Sequence, residues 1–438
     1  MDIPNHVLQI MDKIDETHSS WIVGGAVRDL LLNETPKDWD LCTTALPEEI
    51  EAMFEPHYVK GNNSRDFGTV FVKTKTEIVE VTTLRKDKTK GRHPTVEFTD
   101  SLEEDALRRD FTINALYMTK EGFSLDPLDQ GFADLHKRNL RFAGNPYEII
   151  DDDPLRLLRA IRFACYGFTW SEDLEKAMMD RDFTLKTLNR LSMERIREEL
   201  LNMVYASPSF AFQDLYKTGI MEVLLPEQSA TWNYDQNTPY HIFKLDVHHI
   251  ETANWLKDHG ADRELVFIGW LHDIGKPVTR EDNKHGYSSY IGHDKEGGLM
   301  IEQIFRRLKF PTKSIHRAKN LIDNHMVLHQ QHKLKNLLKL RDTLQHNNWH
   351  LDIVQLYKAD LMASRRQESY MEDELPKIRM DWTTGDTMGI LEEMVKDYKP
   401  FWIGEVQKRV REFYYDFPNI PKQSLRKRVE DFVRSKYL

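Results

Sequence analysis

The run Trp21-Ile-Val-Gly24-Gly25-Ala-Val27-Arg28-Asp29-Leu-Leu-Leu32 passes from a β-type apolar stretch to helical spacing at a pair of glycines, and Asp38-Trp39-Asp40 follows shortly after. Trp21 to Gly25 predicts a strand and Ala26 to Leu32 a helix, so the glycines mark a strand-to-helix turn. Glycine lets the backbone approach a ligand closely, and a helix N-terminus aims amide donors at anions. Arg28 would reach the same phosphates. Alone, such a pair is a plain turn. Asp38 and Asp40, alternate residues of an extended segment, would share one face while Trp39 turns to the core. Paired carboxylates suit Mg²⁺, which takes oxygen ligands and substrate phosphates. Two such ions can activate an attacking hydroxyl and neutralise a leaving pyrophosphate. A lone Asp-x-Asp is a solvated strand edge; behind Gly-Gly it becomes a candidate catalytic pair.

Outward from this segment, residues 1–146 mix short β-type and helical patterns. Thr69-Val-Phe-Val72 and Ile78-Val-Glu-Val-Thr-Thr83 predict strands, and Pro47 to Met53 a helix. From Pro154 strand signals nearly vanish, and helical spacing begun by Leu155, Leu158 and Ile161 continues to the end of the chain. The expectation is an α+β chain: a small mixed-sheet head over 1–146, a helical neck over 147–228, a helical metal-binding domain over 229–370 and a helical tail over 371–438. The polar, turn-rich 226–239 segment marks the boundary between the two helical parts.

At 438 residues the chain exceeds one ordinary core. Its 40% apolar and 30% charged residues describe a globular protein. Two cysteines, Cys42 and Cys165, without paired spacing, argue against a disulfide framework or a thiolate zinc site. Apolar stretches reach only about seven residues, short of a membrane span, and no signal peptide is visible, so a cytoplasmic location and no membrane partner are expected. A net charge of −10 does not exclude nucleic acid, because binding follows local positive surface. Basic residues gather at 85–92, 306–319, 333–341 and 422–436. Each permits RNA contact, and each is also what a solvated helix face looks like.

Gly24-Gly25-x-Val27-Arg28-Asp29 with Asp38-x-Asp40 resembles the first motif of the class II CCA-adding and bacterial poly(A) polymerase family, within the polymerase-β nucleotidyltransferase superfamily. Further matches follow in family order: Arg108-Arg109-Asp110-Phe-Thr-Ile-Asn114-Ala115, Asp126-Pro-Leu-Asp-Gln-Gly131-x-x-Asp134-Leu135, Asp153-Pro-Leu-Arg156-Leu-Leu-Arg159-Ala-Ile-Arg162-Phe163 and Arg195-Ile-Arg-Glu-Glu199. The resemblance implies Mg²⁺ on Asp38 and Asp40, and the triphosphate on Gly24, Gly25 and Arg28. It implies the ribose region on Arg109, Asp110 and Asn114, and the base beside Asp153, Arg156, Arg159 and Arg162. The last motif would brace the base-reading helix. The partners implied are CTP, ATP and the 3′ end of tRNA. One departure is Asp152, where the family usually carries Glu.

The base-reading pair also has a physical basis. Asp153 and Arg156 lie three apart, so on a helix they would share a face. Cytosine and adenine both set an amino donor beside a ring-nitrogen acceptor, which a carboxylate and a guanidinium satisfy. Guanine and uracil reverse the pattern and would leave buried partners unpaired, at about 1–3 kcal/mol each. Glu80, in an extended run, is a candidate third carboxylate or a plain strand residue. The basic segment from Arg85 to Pro94 predicts a loop. It is similar to the loop that CCA-adding members use in switching from C to A, though slightly short.

Farther on, an apolar helical run ends at His272-Asp273-Ile-Gly275-Lys276-Pro277, with His249 upstream and His293, His325 and Asp360 downstream. Nitrogen and carboxylate ligands from separate helices suit a divalent transition metal or Mg²⁺. His248 competes with His249 for the first place. The ordered set resembles the HD phosphohydrolase superfamily over roughly 240–365, implying metal-dependent hydrolysis of 2′,3′-cyclic and 2′-phosphates. Alternatives are a poly(A) polymerase, a CC-only or A-only enzyme, or an HD phosphohydrolase with an RNA-binding head. The sequence leaves oligomeric state open.

Overall fold

The computed structural model describes residues 3–54, 58–59, 64–89, 95–284, 286–329 and 349–365, with positions 424, 427, 428 and 431. The segments at 60–63, 90–94 and 333–341, most of 422–436 and nearly all of the expected tail lie outside the described residues. The chain divides into two compact units, Met1–Leu224 and Leu225–Leu438. Head and neck therefore share one unit, and the second begins before the expected boundary at 228/229. Gln228 gives the reason: it is fully buried, and its amide donates to the Trp270 carbonyl at 2.9 Å, within the second unit.

In the first unit the strands are β1 (Ser20–Val23), β2 (Asp40–Thr43), β3 (Tyr58–Val59), β4 (Thr69–Lys73), β5 (Ile78–Thr83), β6 (Arg85–Asp87), β7 (Val96–Phe98), β8 (Tyr117–Met118) and β9 (Ser124–Leu125). Seven form one mixed sheet in the order β3-β4-β5-β2-β1-β8-β9, and β6 and β7 pair as a separate hairpin. β2 runs antiparallel to β1 and parallel to β5, so Val23, Asp40 and Glu80 stand in one row. Along β5 the residues alternate in burial, with Val79, Val81 and Thr83 inward, as period-two patterning requires. Helix α1 (Gly25–Leu31) leaves directly from the end of β1. Trp39 is buried as expected, but the strand starts at Asp40, and Asp38 lies in the bend before it.

Helix α2 (Leu102–Leu107) starts on the Ser101 side chain, which accepts from the Glu104 N–H. The neck brings α3 (Pro146–Asp152), α4 (Leu155–Cys165) and α5 (Met193–Ala206). α3 opens on Asn145, with Pro146 at its first position. α4 buries Leu157, Leu158, Ala160 and Ile161 and packs against α5. Among the described residues from 154 onward, strand structure is limited to short two-residue pairs, such as Glu281–Asp282 with Ser288–Ser289.

The second unit is helical. Its chief helices are α6 (Leu245–Asp258), α7 (Arg263–Gly269), α8 (His293–Arg307), α9 (Thr312–Asn324) and α10 (Trp349–Arg365). α6 packs on α10 and α8 on α9. Phe267, Trp270, Phe305 and Phe310 form an aromatic core between them. No helix of the described residues is long and apolar enough to cross a membrane.

Candidate functional site

The first site lies where β1, β2 and β5 end side by side. Gly24 has φ of 75°, a left-handed conformation that favours glycine. A side chain there would also stand 3.9 Å from both Asp40 Oδ2 and Arg109 Nη1. Asp38 is exposed and Asp40 half-buried. Burial pushes the Asp40 carboxyl above its ordinary range; Arg109 opposes this and Asp38 adds to it. Glu80 is likewise raised, by burial first and then by Asp40. Three acidic groups in mutual repulsion fit a cation. Their oxygens do not close to within 4.8 Å of one another, as the ligand groups of the second unit do.

Around the carboxylates runs a chain of charge-assisted hydrogen bonds. Arg28 donates from Nη1 to Asn114 at 2.8 Å and, from Nε and Nη2, to Asp29. Asn114 donates to Asp110 at 3.0 Å, and Asp110 accepts from Arg159 of α4 at 2.5 and 2.8 Å. Burial would raise the Asp110 carboxyl, but Arg159, Asn114 and the Phe111 N–H more than offset it and hold it down at about 2. The residue expected to hold phosphate is thus tied to the helix expected to read the base.

The base-reading pair needs a correction. Asp153 is not on a helix face shared with Arg156: it stands extended between α3 and α4, at φ −129° and ψ 101°. Pro154 disfavours the helical conformation in the residue before it. The Asp153 carboxylate instead accepts from Arg195 Nη2 at 2.9 Å and from the Leu155 N–H at 3.2 Å. Arg156 donates to the carbonyls of Arg108 and Ile149 at 3.0 and 3.2 Å. Arg162 pairs with Glu199 at 3.0 Å. The segment Arg195 to Glu199 thereby braces α4 at both its ends.

In the second unit, His248, His272, Asp273, His293, His325 and Asp360 are all buried and converge. His248 Nε2 lies 3.1 Å from His272 Nε2, 3.1 Å from Asp360 Oδ1 and 3.4 Å from Asp273 Oδ2. On the other side, Asp273 Oδ1 faces His293 Nε2 at 3.2 Å and His325 Nε2 at 3.3 Å. His249, the position taken first from the sequence, is not in the group. Its Nδ1 faces the Gln228 amide at 3.2 Å, and adjacent helical residues diverge by about 100°, so His248 and His249 cannot both point at one centre.

Three of the histidines are oriented alike. Nδ1 of His272, His293 and His325 lies 2.6–2.8 Å from the carbonyl three residues earlier, of Gly269, Tyr290 and Ile322. A carbonyl only accepts, so each Nδ1 carries the proton, and a neutral ring turns an Nε2 lone pair inward. For His293 and His325 that lone pair meets a carboxylate oxygen, and Asp273 Oδ1 and both nitrogens are buried without a hydrogen-bond partner. Such a donor set fits a divalent cation, and locking of Nδ1 is how metal-ligating histidines are held. Burial pushes His272 down, but Asp273 and Asp360 more than offset it and hold it up at about 10, so that without a cation the ring itself takes on the positive charge that the centre lacks. Two further residues, unread in the sequence, complete the surroundings. Buried Lys276 donates to Asp273 Oδ2 at 2.6 Å and to Gln236 at 2.8 Å, and His329 lies 2.9 Å from Asp360 Oδ2. A cavity of about 700 Å³ opens against Asp273, His293 and Asp360, walled by Tyr287 and Tyr290.

Fold and sites together define a polymerase-type nucleotidyltransferase head continuous with a helical neck, in a chain that also carries an HD domain. The family described as Poly A polymerase head domain matches residues 20–141, that described as Probable RNA and SrmB- binding site of polymerase A matches 167–231, and HD domain matches 245–347. The chain is 39% identical over 299 residues to CCA tRNA nucleotidyltransferase 1, mitochondrial, of Danio rerio, covering 63% of this chain and 68% of that protein. It is 30% identical over 333 residues to the Multifunctional CCA protein of Teredinibacter turnerae, covering 73% and 77%. Against the CCA-adding enzyme of Bacillus subtilis, 37% identical over 223 residues, it spans about half that relative's length, 54%. The chain belongs to the CCA-adding tRNA nucleotidyltransferase family. Its fold is that of the Bacillus stearothermophilus CCA-adding enzyme in complex with CTP, at TM-score 0.59 and 20% identity over 100% of this chain and 99% of that one. It is also that of the Thermotoga maritima CCA-adding enzyme complexed with tRNA, at TM-score 0.57 and 17% identity over 98% and 96%.

Proposed function

We propose that the first unit adds CCA to the 3′ end of tRNA, transferring CMP and AMP from CTP and ATP. The observation that carries this is the row formed by Val23, Asp40 and Glu80 on adjacent strands, with Gly24 following Val23 at the turn, and Arg28 tied through Asn114 and Asp110 to α4. In the transfer, the 3′ oxygen of the RNA bonds to the α-phosphorus, the bond to the bridging oxygen breaks, and pyrophosphate leaves. Asp38 and Asp40, with Glu80 as a third carboxylate, would hold Mg²⁺, which lowers the charge on the leaving phosphates and acidifies the attacking hydroxyl. Gly24 and Gly25 admit the triphosphate to the backbone, and Arg28 offers it a guanidinium. Asp110, Asn114 and Arg109 border the ribose. Asp153, held by Arg195, accepts from the amino group of C or A, and Arg156, held by two carbonyls, donates to the ring nitrogen. Both readers are fixed before the base arrives, which favours discrimination over adaptability.

For the second unit we propose a metal-dependent phosphohydrolase acting on 2′,3′-cyclic and 2′-phosphates. His248, His272 and Asp360 would hold a divalent ion, and Asp273, His293 and His325 form a second group able to hold one. Bound there, the ions supply an activated water.

Purified protein with Mg²⁺, given tRNA lacking CCA together with CTP and ATP, is expected to yield a product three nucleotides longer. Long adenosine tails select a poly(A) polymerase; growth by two or one selects a CC-only or A-only enzyme. Release of phosphate from 2′-phosphates with Ni²⁺ or Mg²⁺, lost in His272→Ala, tests the second unit separately.

A further inference from the structure

Asp105 lies on α2, just ahead of the Arg108-Arg109-Asp110 motif, and its side chain is fully buried. Oδ1 accepts from Arg108 Nε and Nη2 at 2.9 and 2.6 Å. Oδ2 accepts from Arg109 Nε and Nη2 at 3.0 and 2.8 Å and from the Tyr117 hydroxyl at 2.8 Å. Burial alone would raise this carboxyl; the two arginines and Tyr117 more than offset it and hold it well below the usual carboxylate range. The lock has a direction. With Nε and Nη2 of Arg109 turned to Asp105, Nη1 is left on the side of Gly24, where it and Asp40 Oδ2 stand 3.9 Å from the same point. The guanidinium acts on the Asp40 carboxyl through space, while among the described residues the carboxylate it pairs with is that of Asp105, at 2.8 Å.

An unanchored arginine at this place has an obvious alternative partner. A buried guanidinium without a carboxylate is costly, and a charge-assisted pair with Asp40 would take up the oxygen lone pairs that a cation needs. Asp105 removes that competition. Tyr117 takes part from β8, which pairs with β1 at Val23, so the lock is built into the same sheet rows that present Asp40.

We propose that Asp105 is a positioning residue of the transfer site: it holds Arg109 out of an ion pair with Asp40, so that the Asp40 carboxylate stays open to a divalent cation. This rests on the reading of Asp38 and Asp40 as the cation-holding pair.

The test is the cation affinity of full-length Asp105→Asn. Mn²⁺ binding is measured by equilibrium dialysis with CTP present, counting the ion that disappears in Asp38→Ala/Asp40→Ala, and the Mg²⁺ midpoint of CMP addition is measured alongside. The Mn²⁺ dissociation constant and the Mg²⁺ midpoint are both expected to rise about tenfold or more, while the rate at saturating Mg²⁺ recovers to within about fivefold of the unmodified protein. Adding Arg109→Met to Asp105→Asn is expected to return the Mn²⁺ affinity to within about twofold, a reversal that a merely structural role does not produce. An unshifted Mn²⁺ affinity in Asp105→Asn, or a shift that Arg109→Met leaves in place, overturns the proposal. Should Asp105→Asn not fold, Tyr117→Phe loosens the same lock and carries the test, with an expected shift of about two- to threefold; no shift there overturns it equally. If Asp38→Ala/Asp40→Ala removes no ion at all, the reading beneath fails, and the proposal with it.

Discussion

The head and the HD domain each gather acids around a candidate place for a cation, but they hold them in opposite ways. In the HD domain the candidate ligands themselves are locked: every inward nitrogen of His272, His293 and His325 is fixed by its own ring, through Nδ1, to a carbonyl one turn back. The separations of 3.1–3.4 Å around His248 and Asp273 are already those of atoms about 2.1 Å from a common ion. In the head, Asp38 is exposed, and the ordering falls on the arginines instead: Arg109 on Asp105, Arg28 on Asn114, Arg159 on Asp110, Arg195 on Asp153. The difference follows from the chemistry. A histidine centre can be finished before any substrate arrives. A carboxylate site for Mg²⁺ is completed by substrate phosphates, so what the protein must arrange beforehand is the positive charge that guides them.

The widest separation between the two comes from removing each set of ligands alone. Asp38→Ala/Asp40→Ala is expected to lower nucleotide incorporation by about a thousandfold or more, since the ions supply several kcal/mol of charge stabilisation. Phosphate release from 2′-phosphates should stay within about twofold. Loss of both activities together in a folded protein would break the division into two independent sites.

Within the HD domain, His248→Ala is expected to cut phosphate release by about a hundredfold and to lower bound metal, whereas His249→Ala keeps its metal and loses stability through the Gln228 contact. Metal analysis after gel filtration reads this directly. Equal loss from both variants would return His249 to the ligand set. In the head, Arg195→Ala frees the Asp153 carboxylate without touching the cation ligands. Incorporation of UMP or GMP relative to CMP should rise about five- to a hundredfold, the worth of one unpaired buried partner. Unchanged selectivity would mean that Asp153 needs no brace.

These contrasts also explain what the sequence could and could not disclose. The strand-to-helix turn at Gly24-Gly25 and the inward Trp39 were legible because the pattern is local, confined to one turn and the start of the next strand. Ile78 to Thr83 was legible as a strand because its alternation is strict, and its register then brought Glu80 to Asp40, a neighbour the sequence offered only as one choice of two. Asp153 misled because helical spacing was extended one residue past a proline that forbids it. His248 and His249 show the limit of pattern: adjacent identical side chains carry no signal for which one faces inward, and the answer depends on how α6 packs against α10. Asp105 and Lys276 were invisible for a related reason. Each reads as an ordinary charge near a helix end, and only the partners brought from Tyr117, or from Gln236, reveal its use.

The smallest expected effect concerns acid, and it is a property of the head. Asp110 is held down at about 2 in the folded head, chiefly by Arg159 against the cost of burial, while an unfolded aspartate titrates at its ordinary value of 3.8. A carboxyl depressed on folding contributes stability that is present above the unfolded value and is lost as pH falls through the folded one. The contribution is therefore full at pH 5 and above, declines between about 4 and 2, and is about 2 kcal/mol at neutral pH. Asp110→Asn should then lower the melting temperature of the first unit by roughly 4–8 °C at pH 7. The gap between variant and unmodified protein should narrow as the pH is taken toward 3. The pairing with Arg159 is already inside that figure, and exchanging a carboxyl for an amide adds a part that does not vary with pH, so the diagnostic is the narrowing and not the size. A gap that stays constant from pH 7 to pH 3 would mean that Asp110 is not ionised against Arg159, and that the tie between Arg28 and α4 is a neutral one.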